Sequence, residues 1–173
     1  DWGWYTGTHT VSAGSTSGSN VKSCAVGYET PNTTVKANHD ASSDCAVITY
    51  TITYMDGNSK MSGLTPVTYT IESTPVTLPV VAYKASYEFV AWYANSGLTG
   101  SVVTTIAQGS TGNKVFYAKW QDCPAGYACN GSSVTQCTGS NWAGEGSSAC
   151  TPCPSGYTYN KASGMTKVES CQI

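Results

Sequence analysis

Residues 48–54 set the first pattern: Ile48, Tyr50, Ile52 and Tyr54 alternate with Thr49, Thr51 and Thr53. A period of two with β-branched and aromatic side chains predicts a half-buried strand. Asp56-Gly57 follows at once and predicts a tight turn. Val67, Tyr69 and Ile71 resume the alternation, and Val76-Thr-Leu78 ends at Pro79. Two aromatic segments, Tyr87–Tyr93 and Val115–Trp120, read as further strands, and Phe116, Ala118 and Trp120 share one face of the second. Helical periodicity is poor. The best helical candidate is Thr99–Gln108, where Val102, Val103 and Ile106 share a face, although β-branched residues and flanking glycines weaken it. Residues 46–120 are therefore predicted to hold four or five strands with at most a short helix.

The flanks, 1–45 and 121–173, lack this alternation and are rich in Ser, Gly and Cys. Three units follow: a cysteine-rich module at 1–45, which can be the end of a preceding repeat, a domain with its own core at 46–120, and a cysteine-rich module at 121–173. Neither flank can build an apolar core at its size, so cross-links must staple it. The fold class is thus mainly β, with two small, disulfide-stapled, loop-rich modules.

Composition narrows the function. All eight basic residues are lysines, the formal net charge is −2, and charged residues make up 10% of the chain, which leaves no basic footprint for nucleic acid. Without arginine the usual clamp for phosphate and carboxylate ligands is missing as well. No apolar run is long enough to span a membrane. Asp1 is not preceded by methionine or a signal peptide, which reads as a processed product or a segment of a longer chain.

The eight cysteines are even in number, and none lies between Cys45 and Cys123. A zinc site wants paired ligands at close spacing, yet Cys150-Thr-Pro-Cys153 is the one CxxC and neither His9 nor His39 is near it. A redox CxxC wants a βαβ setting, which is not visible. Disulfides in an oxidising, extracytoplasmic compartment are the reading that remains. An internal repeat guides their pairing. Cys24-Ala-Val-Gly-Tyr28 and Cys153-Pro-Ser-Gly-Tyr157 each precede a polar loop, a second cysteine and the start of an apolar alternation. The repeat pairs Cys24 with Cys45 and Cys153 with Cys171, closing loops of about 20 residues that stabilise by about 3 kcal/mol each. Cys123 with Cys137 and Cys129 with Cys150 is the expectation for the remaining four. After Cys45 the chain runs into the strand at 48–54, whereas after Cys171 it stops at the same phase. The expectation is a further copy, either in a longer parent chain or supplied by a neighbouring molecule.

The order Ile48–Tyr54, Val67-Thr-Tyr-Thr-Ile-Glu-Ser, Thr77-Leu-Pro, Tyr87-x-Phe-x-x-Trp92-Tyr, Leu98-Thr-Gly and Gly109–Trp120 resembles an internalin-type B repeat, also called the Listeria–Bacteroides repeat. The resemblance covers about 75 residues and departs at Ala91, where the family usually has Gly. It implies a compact β-grasp, hence α+β, central domain of the kind repeated as stalk or spacer units in bacterial surface proteins. The Cys-Pro-x-Gly-Tyr segments at 123–127 and 153–157 resemble the cysteine-rich repeats of receptor ectodomains and protist surface proteins, over a much shorter match.

Candidate chemistry is sparse. The carboxylates are scattered, no G-x-S-x-G elbow is present, and His9 and His39 lie in polar stretches that read as solvated loops. Asn38–Asp44 offers oxygen ligands for calcium but lacks the loop glycine and bidentate glutamate of an EF-hand, so no cofactor or metal is expected. Asn32 and Asn130 begin N-glycosylation sequons, and O-linked sugar on 6–23 or 131–148 is as plausible. Trp2, Trp4 and Tyr5, and separately Trp142, suit packing within or between subunits above sugar stacking.

The expectation is a non-enzymatic structural or adhesive repeat unit of a secreted, cell-surface bacterial protein. It would form a stalk, fibre or filament by head-to-tail association with copies of itself or within a longer parent chain. A module binding glycans or a host receptor through exposed Trp and Tyr is the alternative.

Overall fold

The computed structural model describes residues 10–11, 26–29, 39–40, 46–80, 82–159 and 171–172. These residues form short strands, with one 3-10 turn, Ile71–Ser73, as their helical element. The chain divides into two compact units, Asp1–Thr53 with Thr65–Leu78 and Thr105–Lys114, and Tyr54–Leu64 with Pro79–Thr104 and Val115–Ile173.

In the first unit β1 (Thr10–Val11) pairs antiparallel with β3 (His39–Asp40), and β2 (Tyr28–Glu29) with β4 (Ala46–Val47). The start of β5 (Tyr50–Asp56) pairs with β7 (Thr68–Tyr69), Tyr50 opposite Tyr69, with their rings 5.3 Å apart. Further along, β8 (Val76–Thr77) pairs with β11 (Thr105–Ile106). Ile52, Tyr69, Leu78 and Ile106 are buried at this unit's core, so the alternation along 48–54 turns the predicted face inward. Polar groups that the core covers are satisfied internally. The Tyr69 hydroxyl donates to the Gly112 carbonyl at 2.6 Å. Thr74, itself buried, donates to the Ile71 carbonyl and accepts from the Gly109 amide. Thr70 caps the 3-10 turn, its hydroxyl accepting from Ser73 N–H while Ser73 Oγ accepts from Thr70 N–H.

Thr99–Gln108, the best helical candidate, forms no helix and is in part strand. Val103 bridges Trp92, and Thr105–Ile106 forms β11. Residues 102–106 are all β-branched, with side chains stiff at χ1, and Gly100 and Gly109 take positive φ at either end.

In the second unit the sheet order is β6 (Ser59–Lys60), β5, β12 (Lys114–Asp122), β10 (Tyr87–Tyr93) and β9 (Tyr83–Lys84). Asp56 and Ser59 close a hairpin around Gly57 at φ 57°, as the Asp56-Gly57 pair predicts. Tyr54 packs on Phe116 and Asp56 reaches Trp120, so rising numbers on β5 meet rising numbers on β12 and the two run parallel. The β10–β12 pair is antiparallel and its register slips between Phe89 and Ala91. That bulge puts Val90 out to solvent and brings Phe89 and Trp92, three apart in sequence, onto one side with rings 4.9 Å apart. Tyr54, Trp92, Phe116 and Ala118 form the buried centre, and Trp92 Nε1 donates to the Pro79 carbonyl at 2.8 Å.

The cysteines of this unit correct one expectation. Cys123 pairs with Cys129, Cys137 with Cys150, and Cys153 with Cys171; the expected pairs Cys123–Cys137 and Cys129–Cys150 do not form. A turn explains the difference. Tyr127 N–H donates to the Pro124 carbonyl, which folds the chain back at once and brings Cys129 beside Cys123. The hairpin β13 (Tyr127–Cys129) with β14 (Val134–Gln136) then carries Cys137 away, to Gly126 at the far end. There β15 (Asn141–Trp142) pairs with β16 (Thr151–Pro152), which brackets Cys150. Last, β17 (Thr158–Tyr159) pairs with β18 (Cys171–Gln172).

Candidate functional site

Two kinds of place on this fold gather side chains: an open cleft beside Trp120, and the turns by which cysteine segments hold the strand domain. The cleft has a volume of about 310 Å³ and is lined by Asp56, Lys60, Met61, Tyr83, Lys84 and Trp120 among others. Three of its side chains bind one another. Asp56 pairs with Lys84 at 2.8 Å and accepts from Trp120 Nε1 at 3.1 Å, while the Lys84 ammonium lies over the rings of Tyr87 and Trp120. Both partners of the ion pair are about one-third exposed, so it contributes at most about 1 kcal/mol. With the Asp56 carboxylate and the Lys84 amine spent on each other, this cluster fastens the ends of β5, β9 and β12 together.

The turns are built more firmly. Ser86, at φ 73° between β9 and β10, donates its N–H to the Cys129 carbonyl and accepts from Cys123 N–H, both at 2.9 Å. The Cys123–Cys129 bridge therefore clamps the β9–β10 hairpin from both sides. Cys123, Cys129 and Cys137 are almost fully buried.

In the first unit the segment Gly27-Tyr28 meets the 3-10 turn. Gly27 is buried at φ 85°, and a Cβ placed on it would lie 2.8 Å from three carbons of Ile71. The Tyr28 hydroxyl donates to Glu72 at 2.6 Å, and this bond holds the phenol above its usual 10.0, with burial and the charge of Glu72 adding to the shift. Ile48 N–H donates to the Gly27 carbonyl at 2.9 Å, tying the turn to the residue that leads into β5.

The residues singled out from sequence fall as follows. Trp142 is half-buried in β15, where its backbone pairs with Thr151. Asn130 is exposed, and its Oδ1 accepts from the N–H groups of Ser132 and Ser133 at 2.8 Å, closing a tight loop. Trp2, Trp4, Tyr5, His9, Cys24, Asn32 and Cys45 lie outside the described residues, as does most of Asn38–Asp44. The sequence does not point to Ile71 and Glu72 as the partners of Gly27 and Tyr28. The signal it carries is the recurrence of Gly-Tyr three and four residues after a cysteine.

This strand domain, clamped through its turns, is the portion that matches a family model. Residues 50–119 match the model of the Listeria-Bacteroides repeat domain. That repeat is a bacterial extracellular domain, consistent with a structural cell-surface role and suggestive of a non-catalytic one. No curated protein and no solved structure matches the chain. No helix among the described residues is long and apolar enough to cross a membrane.

Proposed function

We propose that the chain is a non-enzymatic structural unit of a secreted bacterial cell-surface protein, in which repeat domains alternate with disulfide-stapled modules to form a stalk, fibre or filament. The observation that carries this reading is the way cysteine segments hold the repeat domain, at Ser86 through Cys123 and Cys129 and at Ile71 through Gly27. A rigid joint is what a load-bearing stalk needs, and short bridges supply it where no core is large enough. The parallel β5–β12 pair at mid-sheet favours a β-grasp derivative for the repeat domain. In this reading that domain runs over 46–120 between modules 1–45 and 121–173. Low charge weakens the repulsion between neighbouring copies, which suits association.

Negative-stain imaging of the native material tests the reading, together with sedimentation of the full chain up to millimolar concentration. Elongated particles with a regular axial repeat are expected. Compact, isolated monomers in both measurements would end the filament form of the proposal.

A further inference from the structure

The chain carries three Cys-x-x-Gly-Tyr segments, and their glycines share one backbone conformation: φ is 85° at Gly27, 87° at Gly126 and 85° at Gly156. The strands that follow the first and third also share one register. In the first, Tyr28 faces Val47 and Glu29 faces Ala46. In the third, Thr158 faces Gln172 and Tyr159 faces Cys171. Counted from the two cysteines that bound each segment, Cys24 and Cys45 or Cys153 and Cys171, the paired offsets have the same sum. The Cys153–Cys171 module is thus the same device as the one that begins at Cys24, and Ile173 stands at the position of Val47.

The three turns differ in what covers them. Gly27 is buried under Ile71, with Tyr28 bonded to Glu72. Gly126 is buried as well, its N–H bonded to the Ala143 carbonyl and its carbonyl to Cys137 N–H. Gly156 is exposed: among the described residues nothing lies within 4 Å of a Cβ built on it, and Tyr157 is 41% exposed. A φ near 85° costs a side-chain-bearing residue strain, and at Gly27 the missing Cβ is what lets Ile71 approach.

We infer that the turn at Gly156-Tyr157 is an open seat for a second copy of the repeat domain, which docks on it through its Ile71–Ser73 turn as the first copy docks on Gly27 and Tyr28. The occupant follows from the chain's own contact: the same backbone turn in the same strand register already holds Ile71 and Glu72 once. This rests on the structural-repeat reading and adds the surface and the alignment by which one repeat follows another.

The test is a fusion. The full chain is joined through Ile173 directly to Ile48 of a second copy, whose own Tyr157→Phe substitution leaves a single Tyr157 as probe. Nitration of Tyr157 by tetranitromethane is followed by peptide mass spectrometry, with Tyr127, 36% exposed, as the internal reference. Docking is expected to lower the nitration rate of Tyr157 roughly tenfold relative to the unfused chain, the factor given by about 1.4 kcal/mol. Gly156→Ala in the fusion places a Cβ where Ile71 would sit and is expected to return the rate to the unfused value. The same substitution in the unfused chain meets open space, adds only backbone strain at φ 85°, and is expected to change the rate far less than tenfold. Equal reactivity of Tyr157 in fusion and unfused chain overturns the inference, whether or not the second copy folds. Self-association of the unfused chain that ignores Gly156→Ala also overturns this seat while leaving the head-to-tail reading in place.

Discussion

The contact between Gly27 and Ile71 sets a test of how the repeat domain is held. Gly27→Ala adds one methyl group at φ 85°, 2.8 Å from Cβ, Cγ2 and Cδ1 of Ile71. Left-handed backbone alone costs a residue with a Cβ about 1–2 kcal/mol. The methyl group adds an overpacking cost of about 1–3 kcal/mol, because three carbons of Ile71 already stand at 2.8 Å and the turn that carries them is capped. If the turn opens instead, the Tyr28–Glu72 bond breaks, forfeiting a charge-assisted hydrogen bond. A loss of about 2–5 kcal/mol is therefore expected, a large share of a domain's usual margin. Gly57→Ala is the control, since Gly57 has φ 57° and nothing within 4 Å, so it incurs backbone strain alone. Urea unfolding followed by tryptophan fluorescence measures both. The midpoint for Gly27→Ala should fall clearly below that for Gly57→Ala with the slope unchanged. Equal midpoints would mean that Ile71 does not lean on Gly27, and the reasoning about the seat would fail with it.

Trp92→Phe removes the donor to Pro79 and part of a ring packed against Tyr54 and Phe89, and a loss of about 1–3 kcal/mol in the same urea assay is expected. The Tyr54 phenol, pushed up to about 12 by burial, stays protonated in the folded chain after an unfolded tyrosine has ionised. Its contribution is complete below pH 10 and is lost as pH rises through 12, so the urea midpoint should fall across that window and Tyr54→Phe should flatten the fall. The bridges should order against loop length. Loop entropy favours Cys137–Cys150, separation 13, over Cys123–Cys129, separation 6, by about 0.6 kcal/mol. Cys123–Cys129 also holds Ser86, so thermal melts should show the larger loss for Cys123→Ser with Cys129→Ser than for Cys137→Ser with Cys150→Ser.

The strands were legible where side chains alternate, because burial on one face writes a period of two into the sequence. Ile52 with Tyr54 and Phe116 with Ala118 turn inward as their spacing implies. In 99–108 spacing ranks Val102, Val103 and Ile106 as the best helical face, and the five consecutive β-branched residues that weaken that candidate decide the backbone. The bulge at Val90 left no mark that spacing could reveal. It makes Phe89 and Trp92 neighbours although a regular strand would place them on opposite faces. Cys153 pairs with Cys171 as the repeat implies, whereas the pairing of Cys123, Cys129, Cys137 and Cys150 departs from the expectation for a related reason. Disulfide pairing depends on which turns close, and the Pro124–Tyr127 turn closes within a handful of residues, before any longer loop can compete.

The contact between Gly27 and Ile71 was half legible, and the missing half shows how the motif works. A glycine at fixed spacing from a cysteine announces a positive φ, since that is the conformation other residues resist. It does not announce its partner, because that partner depends on what stands over the bare Cα. Ile71 stands over Gly27 and the Ala143 carbonyl meets Gly126, through a methyl-rich side chain in one case and a backbone bond in the other. A turn that sets its own backbone and leaves its cover open can be covered by a side chain or by a backbone carbonyl while keeping the same Cys-x-x-Gly-Tyr frame. The six residues from Cys153 to Thr158 hold that same turn with Gly156 uncovered, which is the surface that the proposed second copy would meet through Ile71 and Glu72.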